Sequence, residues 1–217
     1  NDSGKFYGPT RLREALTFSR NLVSIRVLQR LGVDAFIHYV AQLGFQTESM
    51  ARNLTLALGT HAYTPLEIAS GYAILANGGF MIEPYLIERI EDATGRILYQ
   101  ANPALACSAC EEDKRLTANA PLRMEDILKT DAAPMRQATS VMDPRASFIV
   151  TSMLSDAIQR GTGRRARALK RDDLAGKTGT TNGPRDAWFS GYNRDLVTTA
   201  WVGFDDYSVL GRREFGG

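Results

Sequence analysis

The first thirty residues carry apolar side chains at intervals of three and four. This spacing predicts a helix over 9–31, in one or two pieces, with Pro9 at its start and Gly32 at its end. The apolar positions that set the spacing are Leu12, Leu16, Leu22, Val23, Ile25 and Leu28.

Two more helices are predicted before residue 80. One covers 34–43, with Asp34 as its N-cap. The other covers 65–76, where Thr64 and Glu67 have the spacing of a capping box. Helical spacing returns at 143–160, on the apolar positions Ile149, Val150, Met153, Leu154, Ala157 and Ile158.

Alternating patterns predict the strands. Residues 85–100 alternate around a turn at Ala93-Thr94-Gly95, which is typical of a β-hairpin. Residues 101–140 are weakly periodic and indicate a long loop or a small insertion. Three further strands are predicted at 173–178, 187–192 and 196–204. Helices first and an antiparallel sheet last favour an α+β fold.

Composition narrows the classes of protein. The 217 residues are 44% hydrophobic with a formal charge of +2, so the chain can bury a core and lacks a global attraction to nucleic acid. No stretch reaches the roughly 18 apolar residues of a membrane span. The chain does not begin with Met, and both ends look cut. We therefore expect a domain that is incomplete at both ends.

Cys107 and Cys110 form a C-x-x-C pair on a predicted loop. One interpretation is a local disulfide or a free pair. Another is half of a metal or disulfide site completed elsewhere, and redox catalysis is a third. Both histidines, His38 and His61, are distant in sequence and are expected to be structural.

The segment Ala175–Thr181 is the richest in candidate chemistry. Gly176-Lys177-Thr178 resembles the end of a phosphate-binding loop, but Arg171 replaces the required glycine and a turn follows instead of a helix. As an edge strand, Lys177-Thr178-Gly179 offers a cation, a hydroxyl and a position without a side chain. That combination suits an extended peptide ending in a carboxylate.

Ser19 and Asn21 stand between apolar residues of the first helical run. Both side chains compete for backbone hydrogen bonds and often mark a break between two helices. At such a break, the hydroxyl of Ser19 and the amide of Asn21 could face a cleft. A plain helix cap is the alternative.

Ser-x-Asn followed far downstream by Lys-Thr-Gly resembles the second and third motifs of the penicillin-recognising enzymes. The similarity extends over 8–21, 64–73, 161–163 and 186–206, which resemble the transpeptidase domain of class A penicillin-binding proteins. The resemblance implies an α+β, serine β-lactamase/transpeptidase-like fold with flanking helices. Residues 1–217 would form part of one such domain, with 84–140 as hairpin plus insertion.

The resemblance also implies roles for individual residues. Ser19 would relay a proton to the leaving amine, and Asn21 would bond the substrate amide. Lys177 would supply positive charge beside Ser19. The substrate-binding positions would be Thr178, Gly179, Thr180 and Thr181, and the N–H of Thr180 would form half of an oxyanion hole.

The chain departs from the family pattern at one position. No serine is followed by lysine three residues later, so the Ser-x-x-Lys nucleophile is expected upstream, outside this chain. The implied activity is D,D-transpeptidation of peptidoglycan on D-Ala-D-Ala stem peptides, inhibited by β-lactams, without cofactor, metal or nucleic acid. The site would lie at the periplasmic face of the inner membrane, anchored by a segment outside this chain. A non-catalytic sensor module and a soluble serine β-lactamase are the alternatives.

Three other features receive structural interpretations. The six basic residues within 160–171 are read as a solvated loop rather than an anion site. Gly161-Thr162-Gly163 superficially matches a dinucleotide motif but follows a helix. Trp188, Phe189 and Trp201 are expected in the core.

Overall fold

A computed structural model describes residues 6–107, 109–110, 136–181, 183–211, 214 and 216. The first predicted helix is two helices, α1 at Leu12–Thr17 and α2 at Asn21–Leu31. The predicted start at Pro9 is wrong. Arg11 has extended backbone angles (φ −65°, ψ 145°) and precedes the helix, which begins at Leu12.

Gly32 joins α2 to α3, which spans Val33–Gln42. Its φ of +91° suits glycine, and Gly32 caps both helices. The prediction of Asp34 as N-cap is therefore wrong: Asp34 lies in the first turn, where its carboxylate pairs with Arg52. With the 3₁₀-helix Leu54–Leu58, these helices enclose a small core of Leu28, Ile37, Met50 and Leu56.

Helix α4 spans Pro65–Ala76 and begins with the predicted capping box. The N–H of Glu67 donates to Thr64 Oγ1 at 3.2 Å, and Glu67 Oε2 accepts from the N–H of Thr64 at 2.8 Å. This helix packs against two later strands, Asp186–Tyr192 and Val197–Gly203.

Two small antiparallel pairs follow. Strand β1 (Phe80–Met81) pairs with β4 (Thr139–Ser140), and β2 (Arg89–Glu91) pairs with β3 (Ile97–Gln100). The predicted hairpin is confirmed, with shorter strands. Of the predicted insertion, 108 and 111–135 lie outside the described residues.

The cysteine pair lies in the described part of that insertion. Cys107 and Cys110 are joined by a disulfide, which agrees with the local interpretation.

Helix α5 (Pro144–Gln159) precedes a three-stranded antiparallel sheet. The sheet has the order β5 (Ala175–Thr180), β6 (Asp186–Tyr192) and β7 (Val197–Gly203), so all three strand predictions are confirmed within a few residues. Helix α5 packs against β5, α4 and α1, and its Leu154 lies in a buried cluster with Ala175 and Tyr192. The α+β prediction, an antiparallel sheet with flanking helices, is confirmed.

Ile149, one of the apolar positions that predicted α5, is 54% exposed. The core prediction for Trp201 is wrong. Trp201 is 37% exposed, and its indole N–H donates to Asp186 Oδ1 at 2.9 Å. Trp188 and Phe189 are partly buried, as expected. In the described part of the chain, no helix has the length and apolarity to cross a membrane.

Candidate active site

The interruption between α1 and α2 presents Ser19. Its backbone adopts the left-handed conformation (φ +50°), which ends α1 and lets the chain restart as a helix at Asn21. The N–H of Arg20 returns to the carbonyl of Ala15 at 2.8 Å and closes the break. The side chain of Ser19 is exposed, as a group facing a cleft requires.

A cluster of charges fastens α1 to α5. Arg13 donates to Asp156 at 3.1 Å, and Arg160 donates to Asp156 at 3.0 Å. Arg160 also donates to both carboxylate oxygens of Glu14, and this hydrogen bonding holds the pKa of Glu14 below its usual range. The position of the Ser19 break is thereby tied to α5.

Strand β5 carries Lys-Thr-Gly at the edge of the sheet, next to β6 alone among the described strands. Gly176 leaves no room for a side chain, since a Cβ would lie 2.7 Å from the carbonyl oxygen of Ser190. A Cβ on Gly179 would lie 3.2 Å from Trp188 Cβ. Bare backbone at these positions keeps β5 close against β6 and leaves its edge open.

The Lys177 ammonium lies at the junction of the two motifs. It donates hydrogen bonds to the Ser19 hydroxyl and, at 2.9 Å, to the Thr178 carbonyl. Burial lowers the pKa of Lys177 to about 8. No carboxylate within the described ranges pairs with Lys177, so its charge is available to a ligand.

Threonine hydroxyls extend the site from Lys177. Thr178 Oγ1 lies 2.7 Å from Thr162 Oγ1, and the exposed Thr180 accepts a hydrogen bond from the N–H of Gly216 at 3.1 Å. The side-chain oxygen of Thr181, Oγ1, accepts hydrogen bonds from the backbone N–H groups of Arg185 and Asp186 at 3.0 and 2.8 Å. Thr181 therefore holds the turn after β5, and only its O–H remains free to donate.

The predicted residues are thus brought together to different degrees. Ser19, Lys177 and Thr178 lie in one connected group, and Thr180 follows on the same strand. Asn21 begins α2 next to this group, and its amide has no hydrogen-bond partner among the residues that the structure describes.

Thr162 was not predicted as a site residue. Its signal was the Gly-Thr-Gly segment itself: two glycines around a hydroxyl, directly after α5 and before the Lys-Thr-Gly strand.

The phosphate-binding motif and the basic run have other surroundings in the fold. Strand β5 continues through Thr180, without the helix that a phosphate-binding loop needs. Of the basic run, Arg160 and Arg171 pair with carboxylates, while Arg164, Arg165, Arg167 and Lys170 lie on or after the 3₁₀-helix Arg164–Leu169. All four of these side chains are exposed.

The histidines make local contacts. His38 bonds Gln42, and the ring of His61 packs on Tyr63. No cluster of potential metal ligands occurs within the described ranges.

The geometry suits acyl transfer. A partly buried cation held on a serine hydroxyl can lower the cost of moving a proton through that hydroxyl. Adjacent hydroxyls on an open strand edge can bind a carboxylate while backbone N–H groups bind an extended peptide.

Comparisons with known proteins identify the family of the chain. A family model described as the penicillin-binding protein transpeptidase domain matches residues 1–205. The chain is 50% identical to penicillin-binding protein 1A of Pseudomonas aeruginosa, across 100% of this chain and 28% of that protein. It is 38% identical to penicillin-binding protein 1A of Neisseria gonorrhoeae, across 100% of this chain and 24% of that protein.

Solved structures give the same result. Penicillin-binding protein 1A from Haemophilus influenzae superposes with a TM-score of 0.85 at 38% identity, covering 100% of this chain and 33% of that one. PonA1 of Mycobacterium tuberculosis gives 0.73 at 22% identity, covering 100% and 55%, which supports the fold alone. The predicted resemblance, including that to the 1A type of Gram-negative bacteria, is confirmed. The chain spans about a quarter of the length of the curated relatives described above, 28% and 24%.

Proposed function

The chain belongs to the penicillin-binding protein transpeptidase family, and from that premise we propose that it forms part of the active site of a serine D,D-transpeptidase. The reaction would cross-link peptidoglycan stem peptides. One observation carries the proposal: the Lys177 ammonium bonds the Ser19 hydroxyl, which joins the Ser-x-Asn and Lys-Thr-Gly motifs in one site.

The nucleophile is proposed to be the serine of a Ser-x-x-Lys segment elsewhere in the same protein. Its oxygen attacks the carbonyl of the penultimate D-alanine, and the bond to the terminal D-alanine breaks. The departing nitrogen takes a proton, and an ester joins the serine to the stem peptide. The amine of a neighbouring stem peptide then displaces the serine and forms the cross-link.

Ser19 and Lys177 serve the proton transfer. The Ser19 hydroxyl passes a proton toward the leaving nitrogen and is restored from the nucleophile side. Lys177 donates to Ser19 Oγ and so leaves the Ser19 proton free to move outward. The side-chain amide of Asn21, which has no partner among the described residues, is available to bond the substrate amide and the lysine of the Ser-x-x-Lys segment.

Strand β5 binds the substrate. The hydroxyls of Thr178 and Thr180 donate to the terminal carboxylate, and the positive charge of Lys177 favours that anion. Gly179 lets the peptide backbone approach, and Thr181 shapes the end of the strand. The N–H of Thr180, with that of the nucleophilic serine, stabilises the oxyanion.

The setting follows from the same proposal. The ligands are D-Ala-D-Ala stem peptides and the β-lactams that acylate the same serine. The enzyme acts on the periplasmic face of the inner membrane, held by an anchor outside this chain and joined to a glycosyltransferase domain. The reaction uses no cofactor.

Labelled penicillin tests the proposal. The full-length protein should form a stable covalent adduct, and changing the upstream Ser-x-x-Lys serine to Ala should abolish it. Label that persists after that change would overturn the assigned nucleophile.

The same experiment separates the alternatives. A protein that never becomes labelled would be a binding module without acyl chemistry. A protein that releases hydrolysed penicillin within seconds would be a β-lactamase.

A further inference from the structure

The proposed mechanism leaves the hydroxyl of Thr162 without a role. The side chain is exposed, and its Oγ1 lies 2.7 Å from the Oγ1 of Thr178, a hydrogen-bond distance. Thr178 is one of the two threonines proposed to bind the substrate carboxylate. Thr162 is therefore one hydrogen bond away from the ligand.

The backbone holds Thr162 in place from two directions. Its N–H donates to the carbonyl of Thr17 at 3.3 Å, and the next N–H, that of Gly163, donates to the carbonyl of Ala157 at 3.0 Å. Gly161 and Gly163 are buried against these elements, and a Cβ on Gly161 would clash with the Thr17 carbonyl oxygen. The segment Gly161-Thr162-Gly163 therefore packs tightly against α1 and α5. Thr162 carries its only side chain, and that side chain reaches Thr178 on β5.

The hydroxyl of Thr178 has one proton to donate and two lone pairs that accept. Lys177 Nζ lies 3.5 Å from Thr178 Oγ1, and an ammonium only donates. When Thr162 also donates, both lone pairs of Thr178 face donors and its proton points away from both. That proton is then available to a carboxylate, which only accepts.

The opposite direction gives a poor site. If Thr178 donated to Thr162, the approaching carboxylate would meet an oxygen lone pair and repulsion instead of a donor. The donor properties of Lys177 and the carboxylate therefore select the direction in which Thr162 donates.

We propose that Thr162 is a specificity-determining residue that orients the Thr178 hydroxyl as a donor to the ligand carboxylate. The inference rests on the proposed transpeptidase function and adds a third threonine to carboxylate recognition. Thr162 acts through Thr178 and does not touch the reacting carbonyl.

The test compares two ligands in the full-length protein. The second-order acylation rate is measured with benzylpenicillin and with its methyl ester, which lacks the negative charge. Since hydrogen bonds to charged groups are the strong ones, Thr162→Val should slow acylation by benzylpenicillin roughly tenfold and acylation by the ester less than about twofold. Thr162→Ser keeps the hydroxyl and should restore the preference for the acid.

The outcomes are separable. Equal losses for both ligands, or no loss for either, would overturn the inference while the unsubstituted protein still reacts normally. Failure of Thr162→Ser to restore the preference would also overturn it. An unsubstituted protein that neither ligand acylates would overturn the proposed function, and the inference with it.

Discussion

The ammonium of Lys177 donates a hydrogen bond to the hydroxyl of Ser19 across 158 positions of the sequence. The two residues meet because α1 and β5 pack against the same helix, α5. Ser19 lies just after the end of α1, and Lys177 lies on the strand edge. The contact joins what the sequence presents as two unrelated short motifs.

The first prediction concerns the charge of Lys177. Lys177→Met keeps most of the buried apolar stem and removes the cation, so the fold should persist while acylation by penicillin slows by about 10²-fold or more. Labelling rates and thermal unfolding of the full-length protein measure the two effects. An acylation rate equal to that of the unsubstituted protein would contradict the role of Lys177.

The second prediction is a pH dependence. The pKa of Lys177 is lowered from 10.5 to about 8, so the residue is charged below that pH and neutral above it. If the charge is needed, acylation falls as the pH rises through about 8, measured from about pH 6 to about pH 10. In Lys177→Arg this decline should disappear, because a guanidinium stays charged over the whole range.

The same lowered pKa predicts a trend in stability. Between about 8 and 10.5 the unfolded chain binds a proton that the folded chain does not. The free energy of unfolding contributed by Lys177 therefore increases with pH across that window. Lys177→Met should lack this increase, and a pH series of urea titrations would show the difference.

The third prediction separates chemistry from strain at Ser19. Its φ of +50° is unfavourable for residues with a Cβ. Ser19→Ala and Ser19→Gly should both lose acylation, because both lack the hydroxyl. Ser19→Gly should be the more stable of the two by about 1 kcal/mol. Equal stability of the two variants in urea titrations would argue against strain at this position.

The fourth prediction addresses the contact between Gly161 and α1. In Gly161→Ala the new Cβ would lie 2.8 Å from the Cα of Ala157 and against the Thr17 carbonyl, both rigid backbone. We expect a loss of about 1–3 kcal/mol in stability, together with slower acylation as the Ser19 break shifts. Gly163→Ala is the matched control, because its Cβ first meets the flexible end of Ile158 at 2.9 Å.

The fifth prediction concerns the capping box of α4. Thr64→Ala removes the hydroxyl that bonds Glu67 and should destabilise the protein by about 1 kcal/mol, whereas Thr64→Ser should retain the cap. Backbone and side-chain donors of Thr64 lower the pKa of Glu67 from 4.5. The stabilisation is therefore present above pH 4.5 and lost below it, which thermal melts at acid pH measure.

Local chemistry made part of this structure predictable. The capping box at Thr64 and Glu67 depends on residues three positions apart, and the structure confirms it. The predicted break at Ser19 is present, but neither Ser19 nor Asn21 caps a helix there, since Phe18 ends α1 and Arg20 precedes α2. The last strand, which begins at Val197, is rich in β-branched and aromatic residues, and it forms where that composition predicts it.

Tertiary geometry decided the remainder. Asp34 has the chemistry of an N-cap, but the N-cap of α3 is Gly32, two residues earlier in the chain. Trp201 is large and apolar, yet a hydrogen bond to Asp186 holds it at the surface. Thr162 acquires its neighbour Thr178 only when α5 packs on β5, which no local pattern encodes.

Helix α5 is a common support for both motifs. Because α5 packs against both α1 and β5, we expect a small shift of α5 to move Ser19 and Lys177 together and to preserve the distance between them. Substitutions on the outward side of α5 should for this reason be silent in catalysis, whereas those at its contacts with α1 or β5 should change the register of one motif against the other.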